Sequence, residues 1–232
     1  MKVIKYCKVL FMVAAGLWFL ASCTKADDYK KFQKGGEIIY AGTLDTVIAQ
    51  SGKNQINMLM RLGSDVSVTR VKVYWNDKLD SAQLAIARPA TSNIVNLLIP
   101  NLTVGTYNFQ VYAFDKNGNS SVVRTLSGIA YGVDYENSLV NRRIISATAN
   151  AQLASLILAW NDPNPGMVKT EITYTKKNGD VVTRTVANVE MVTNLPNDYL
   201  IGSTLTYRST YKFDENSFEP YTVTQSSVLT LK

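Results

Sequence analysis

The chain has 232 residues, 24 of them basic and 18 acidic, with two cysteines, no histidine and a formal charge of +6. Without histidine it lacks the commonest general acid–base group and the commonest metal ligand, so any catalysis would fall to carboxylates, lysine, tyrosine or serine–lysine chemistry. A chain of this length buries one or two cores without disulfide or metal support.

Lys2, Lys5 and Lys8 open the sequence, and an apolar run over residues 9–20 follows. The run is too short for a permanent membrane-spanning helix and has the layout of a signal peptide. Leu20-Ala21-Ser22-Cys23 resembles the lipobox of bacterial lipoproteins. That resemblance implies cleavage before Cys23 and a diacylglycerol on its thiol, with residues 1–22 as the signal peptide and the membrane as a partner through the lipid. An ordinary secretory signal with an incidental Cys23 is the alternative. Cleavage removes three lysines and no acid, which lowers the charge from +6 to +3. Such a small, scattered charge argues against nucleic acid as a partner. Cys7 leaves with the signal and Cys23 is acylated, so no disulfide and no cysteine metal site is expected.

Residues 23–36 carry too few apolar side chains to fold alone and read as a lipidated tether. Asp27 and Asp28 resemble the acidic signal that sends some Bacteroidota lipoproteins to the outer face of the outer membrane. They fit a solvated linker equally well. The expected location is the outer membrane, on the cell-surface or the periplasmic face.

From residue 37 the hydrophobic period is two. Tyr107, Phe109, Val111 and Ala113 alternate with Asn108, Gln110, Tyr112 and Phe114, as in a half-buried strand. Val71, Val73 and Trp75 alternate in the same way, and residues 55–61, 82–87 and 94–99 are further short strands. Asn117-Gly118 marks a hairpin with two left-handed central residues. The pattern recurs with Leu156, Leu158 and Trp160, then with two strands around Asn178-Gly179 and more strands to the end. No helical stripe stands out. The expectation is an all-β chain of two tandem sandwiches, residues 37–128 and 144–232, joined by a Gly-, Asn- and Tyr-rich segment over 129–143.

Leu102, Gly105, Thr106 and Tyr107, with the Asn117-Gly118 hairpin, resemble the tyrosine corner and following strands of fibronectin type III domains. This resemblance implies a fibronectin type III/immunoglobulin-like fold for both halves. Trp160 stands where that family carries a core tryptophan, and Tyr207 stands for the second corner tyrosine. The first half has no tryptophan at the equivalent place, where Trp75 on the next strand offers a substitute. The motifs DDYKKF, GGEIIYAG, VYWN, GTYNFQVYAFDKNGN and YGVDYENSLVNR, spanning about residues 27–143, are similar to family 4998 of the domain-of-unknown-function series. Its members are Bacteroidota lipoproteins, often found with carbohydrate-binding modules and near glycan-uptake genes. The family has no assigned reaction. The resemblance therefore implies a context and carries no catalytic residues or cofactor.

Tyr74, Tyr112, Phe114, Tyr131 and Tyr135 are the candidate ligand contacts. Flat rings pack on sugar faces, and Tyr131 and Tyr135 lie in the segment between the sandwiches, where ligand clefts are favoured. Filling a domain contact or a core edge is the other fate open to such rings. Exposed coplanar rings would mark a polysaccharide partner; buried junction tyrosines would mark a spacer or adhesion protein that binds another protein. Glu215 and Glu219, four apart, are the carboxylate pair of a minority hydrolase reading. Thr46 and Ser81 sit in Asp45-Thr46-Val47 and Asp80-Ser81-Ala82, tripeptides that resemble the O-glycosylation motif of exported Bacteroidota proteins. Asp115, Asn117 and Asn119 copy the start of a calcium loop but lack its bidentate glutamate, and no cofactor or metal is expected.

Overall fold

The computed structural model describes residues 38–87, 93–195 and 198–230. The first sandwich comprises β1 (Thr46–Lys53), β2 (Gln55–Arg61), β3 (Val68–Trp75), β4 (Asp80–Ala85), β5 (Ile94–Ile99), β6 (Gly105–Asp115) and β7 (Arg124–Tyr131). They hydrogen-bond in the order β4-β3-β6-β7-β1-β2-β5. Every neighbouring pair is antiparallel except β1 and β7, which meet in parallel where Gly52 faces Ala130 and Lys53 faces Tyr131. Met58 and Met60 of β2, Val71 and Val73 of β3, and Phe109 and Val111 of β6 share one core. The sheet therefore folds over at the β7–β1 seam, setting β4-β3-β6-β7 against β1-β2-β5. Alternation drives this packing: one residue in two is apolar and turns inward, contributing roughly 1.5–3 kcal/mol for each large side chain fully buried.

The second sandwich holds β8 (Ile144–Asn150), β9 (Ser155–Trp160), β10 (Met167–Thr175), β11 (Val181–Ala187), β12 (Val192–Leu195), β13 (Thr204–Tyr211), β14 (Tyr221–Thr222) and β15 (Ser227–Thr230). One sheet runs β12-β9-β8 and the other β11-β10-β13-β14, with β15 also on β13. The seventh strand is thus split in two, and the order of the first sandwich repeats. This is the fibronectin type III-like arrangement, twice. Its core gathers Leu156, Leu158 and Trp160 of β9 with Ile172 and Tyr174 of β10. The Trp160 indole N–H donates to Thr193 Oγ1 at 2.9 Å, which satisfies the one polar atom that the buried ring carries.

Several expectations change in detail. β4 spans residues 80–85, two earlier than the apolar pattern indicated. β7 runs on to Tyr131, so residues 129–131 are strand, and the connection begins at Gly132 with a short helix, α1 (Val133–Ser138). Both Asn-Gly hairpins differ from the two-residue form: only the glycines take positive φ, 88° at Gly118 and 91° at Gly179. Their N–H groups donate to Asp115 O and Lys176 O, which makes each a right-handed turn closed by a left-handed glycine. The first tyrosine corner is present, with the Tyr107 hydroxyl donating to Thr103 O at 2.9 Å. The second is not made by Tyr207, whose ring meets Trp160 edge-on at 5.5 Å. Tyr199 takes that role from the preceding loop, donating to Ser203 O at 2.9 Å.

Candidate functional site

Residues 41–232 form one compact unit. Within it the contact between the sandwiches is dense. Tyr131, at the end of β7, is 3% exposed. Its ring stacks on Phe213 of the second sandwich at 5.2 Å, and Tyr135 of α1 packs edge-on against both. The Tyr135 hydroxyl donates to Lys212 O at 3.2 Å. Around the rings, Lys53 Nζ pairs with the buried Glu136 carboxylate at 2.5 Å. Ser51 Oγ donates to Asp214 Oδ2 and Gln55 Nε2 to Glu219 Oε2, so the β1–β2 turn grips the loop after β13. Burial, ahead of the nearby carboxylates Glu219 and Glu136, pushes the Tyr131 hydroxyl up to about 12. A ring so enclosed offers no face to a sugar. The expectation of a ligand platform is therefore corrected for Tyr131, which packs the junction together with the half-buried Tyr135.

The other three candidate rings lie elsewhere and together. Tyr74 points outward from β3, and Tyr112 and Phe114 from β6, where the register sets Arg70 beside Phe114, Lys72 beside Tyr112 and Tyr74 beside Gln110. All three rings are half-buried. Tyr74 and Tyr112 meet edge-on at 5.9 Å, and Tyr112 and Phe114 are tilted by 41°. They are not coplanar. Cations cover their faces: Arg70 lies 4.7 Å from the Phe114 centroid, Lys72 4.6 Å from Tyr74 and Lys78 5.4 Å from Tyr112.

Lys78 reaches this face because of an unusual turn. Asn76, Asp77 and Lys78 all take left-handed φ, 50°, 52° and 66°, closed by Leu79 N–H donating to Asn76 O. Each such non-glycine residue costs roughly 1 kcal/mol or more, and three in succession are rare. The turn folds Lys78 back over β3, where its Nζ donates to the Tyr112 hydroxyl at 3.3 Å. Tyr112 in turn donates to Gln110 Oε1 at 3.2 Å, and Ser127 Oγ donates to Asn108 Oδ1 at 2.7 Å. Each amide oxygen thus accepts one bond, and the NH₂ groups of Gln110 and Asn108 are left as donors. Next to this face opens a concavity of about 950 Å³, lined among others by Tyr74, Lys78, Asn108, Gln110, Thr125 and Ser127. Its floor of amides, hydroxyls and rings suits a hydroxyl-rich ligand.

Sequence reading found the three rings but missed Arg70, Lys72, Lys78, Gln110 and Asn108. The alternation of Arg70, Lys72 and Tyr74 was a usable signal, since all three share the outward face of β3. Lys78 carried none, because nothing in Asn76-Asp77-Lys78 announces a left-handed turn.

Cys23 lies outside the described residues. Thr46 is exposed at the start of β1, and Ser81 is exposed on β4 directly across from Tyr74. Glu219 is bound to Gln55 and Glu215 is exposed, and neither lines the concavity. The carboxylates that do line it, Asp77 on the turn and Asp80 at the start of β4, are exposed. The Asp115 carboxylate accepts from the backbone N–H groups of Asn117 and Asn119 and from the Asn119 side chain, which holds its carboxyl below the usual range. It is a turn fastener. No cluster of metal-ligating side chains occurs, and no helix is long and apolar enough to cross a membrane, among the described residues.

A domain-of-unknown-function family model, DUF4998, matches residues 23–221. The chain belongs to the DUF4998 family. The match takes in the first sandwich and the second as far as the start of β14, well beyond the stretch whose motifs resembled the family in sequence. No curated protein matches the chain. Among solved structures, the chain is similar to the chicken CNTN1 FN1-FN3 domains, at 10% identity and a TM-score of 0.49, covering 82% of this chain and 64% of that one. It is also similar to a two-domain fibronectin type III segment of chicken tenascin, at 14% identity and a TM-score of 0.30, covering 82% of this chain and all of that one.

Proposed function

We propose that this DUF4998 protein is a non-catalytic, lipid-anchored accessory module that captures polysaccharide at the cell surface through the outer face of β3 and β6. The observation that carries the reading is the cluster of Tyr74, Tyr112, Gln110, Asn108 and Lys78 beside a concavity of about 950 Å³. Amides and hydroxyls held by neighbours, with rings among them, are what a sugar surface requires, and their fixed geometry lowers the cost of ordering them on binding. The lipid anchor rests on the Cys23 lipobox, and the family match beginning at residue 23 supports it. The dense junction supports a second element of the reading: the two sandwiches act as a stiff spacer. The buried Tyr131 and the tilt between the outer rings support the alternative, in which the spacer alone matters, the partner is a protein and the outer face is idle.

Affinity electrophoresis of the full-length protein in neutral detergent, through gels loaded with single polysaccharides, tests the reading. Retardation by at least one glycan, lost in Gln110→Ala and in Tyr112→Ala, is expected. Retardation by none, or retardation untouched by either variant, would overturn it in favour of a protein partner.

A further inference from the structure

We infer that the polysaccharide taken by this face is acidic, a chain carrying carboxylate or sulfate groups. This rests on the capture reading above and goes beyond it in naming the charge of the ligand. Three features agree. First, the outward positions of β3, β4, β6 and β7 hold Arg70 and Lys72 and no aspartate or glutamate, and Lys78 is folded over them from the turn. Asp77 lies in the turn and Asp80 opens β4 on the parity opposite to Tyr74, where it accepts a bond from Asn76; both line the concavity beside Lys78.

Second, the neutral polar groups present donors. Gln110 and Asn108 have their oxygens occupied by Tyr112 and Ser127, which leaves their NH₂ groups for the ligand. Lys78, Gln110 and Asn108, which all line the concavity, therefore all have donors for a ligand's acceptors.

Third, the rings do a different task from the one expected of sugar platforms. With Lys72 4.6 Å from the Tyr74 centroid and Lys78 6.0 Å from it, that ring face is already occupied. A neutral sugar would have to displace an ammonium group to stack there. An acidic one finds cations already held in place by the rings, so fewer long side chains remain to be ordered. The strained Asn76–Asp77–Lys78 turn fits this account, since its effect is to bring a third cation onto the patch.

The test uses the same full-length protein in gels containing polygalacturonate, a sulfated glucan, an uncharged glucan, or single-stranded DNA as a non-glycan polyanion. Retardation by polygalacturonate or the sulfated glucan, weakened by added salt, is expected. The two acidic gels separate carboxylate from sulfate recognition. Lys72→Ala with Lys78→Ala should weaken it about five- to tenfold, the scale expected for losing two solvent-screened charge contacts. Both lysines reach solvent, and an unchanged thermal midpoint would establish that the variant is folded. A Lys72→Gln, Lys78→Gln pair repeats the test with the stems kept. Retardation by the uncharged glucan alone, indifferent to salt, would sink the inference while leaving polysaccharide capture standing. Retardation by no glycan would sink the capture reading itself. Equal retardation by DNA would also overturn the inference, because the face would then read charge without regard to sugar.

Discussion

Phe213 of the second sandwich stacks on Tyr131 of the first, with ring centroids 5.2 Å apart and planes 16° from parallel. Tyr135 closes the triad from α1, edge-on to Phe213 at 4.9 Å. Three rings from two domains and their connection thus form one apolar joint. Tandem sandwiches linked only by a strand would flex; these have a shared packing unit and a ring of polar clamps.

Phe213→Ala should open that joint. Phe213 is half-buried, so the loss is about 2 kcal/mol, less than the 3–5 typical of a fully enclosed ring. Urea unfolding of the parent should give one cooperative transition. The variant should give two, as the sandwiches unfold separately. A single unshifted transition would mean that the joint contributes nothing to coupling.

Alkaline pH should loosen the same region. Tyr131 ionises near 10.0 in the unfolded chain and at about 12 in the fold. The folded state thus holds a proton that the unfolded state has released, so stability is complete below pH 10 and falls as pH rises through 12. Lys53 acts in the same sense: its hydrogen bond to Glu136 raises it above 10.5, and its contribution fades as pH climbs through that raised value. Burial raises the Tyr135 hydroxyl in the same direction, so ultraviolet titration of tyrosinate should reveal a late phase that loses one tyrosine's amplitude in Tyr131→Phe. If Tyr131→Phe leaves the amplitude of the late phase unchanged, the assignment fails.

Arg142 is a second hidden device, 1% exposed at the foot of the second sandwich. Its Nε donates to Asn161 O at 2.8 Å and its Nη1 to Glu190 O at 2.9 Å, while its guanidinium lies 5.7 Å from the Trp160 ring. Desolvation lowers its pKa, with Asp162 and Glu190 opposing. One planar fork thus ties the loop after β9 to the residues ahead of β12. Arg142→Lys keeps the charge but offers a single point, and should cost about 2 kcal/mol by leaving one carbonyl unpaired. The denaturant midpoint reads this directly. A loss within about 0.5 kcal/mol would show that charge alone matters.

How much of this was legible follows from what each signal depends on. Period-two alternation is local, so β2 and β5 and the inward set of β6 could be read from residues 55–61, 94–99 and 107–113 alone. The rings Tyr74, Tyr112 and Phe114 were found for the same reason: outward parity is fixed by strand register. The junction was not legible. Tyr131 meets Phe213 across 82 residues, and no local pattern tells a ring that lines a cleft from one that fills it. The cationic character of the outer face was half-visible in Arg70 and Lys72. Its completion by Lys78 depends on backbone strain, which composition does not encode.

The two tyrosine corners give the sharpest comparison of sequence with structure. Tyr107 and Tyr207 are the corner tyrosines that sequence spacing offered, but only Tyr107 makes the corner bond, to Thr103 O at 2.9 Å. The Tyr207 hydroxyl has no hydrogen-bond partner among the described residues, and its ring serves Trp160 instead. Tyr107→Phe should therefore cost about 1 kcal/mol, the net worth of one hydrogen bond, while Tyr207→Phe should stay within about 0.5. Tyr199→Phe is the matching test for the second sandwich. Tyr199 is fully buried and bonded to Ser203 O, so removing its hydroxyl should cost as much as or more than Tyr107→Phe. The order of thermal midpoints, with Tyr207→Phe nearest the parent, reports which tyrosine closes each corner. A Tyr207→Phe protein less stable than Tyr199→Phe would return the second corner to the position that sequence spacing suggested.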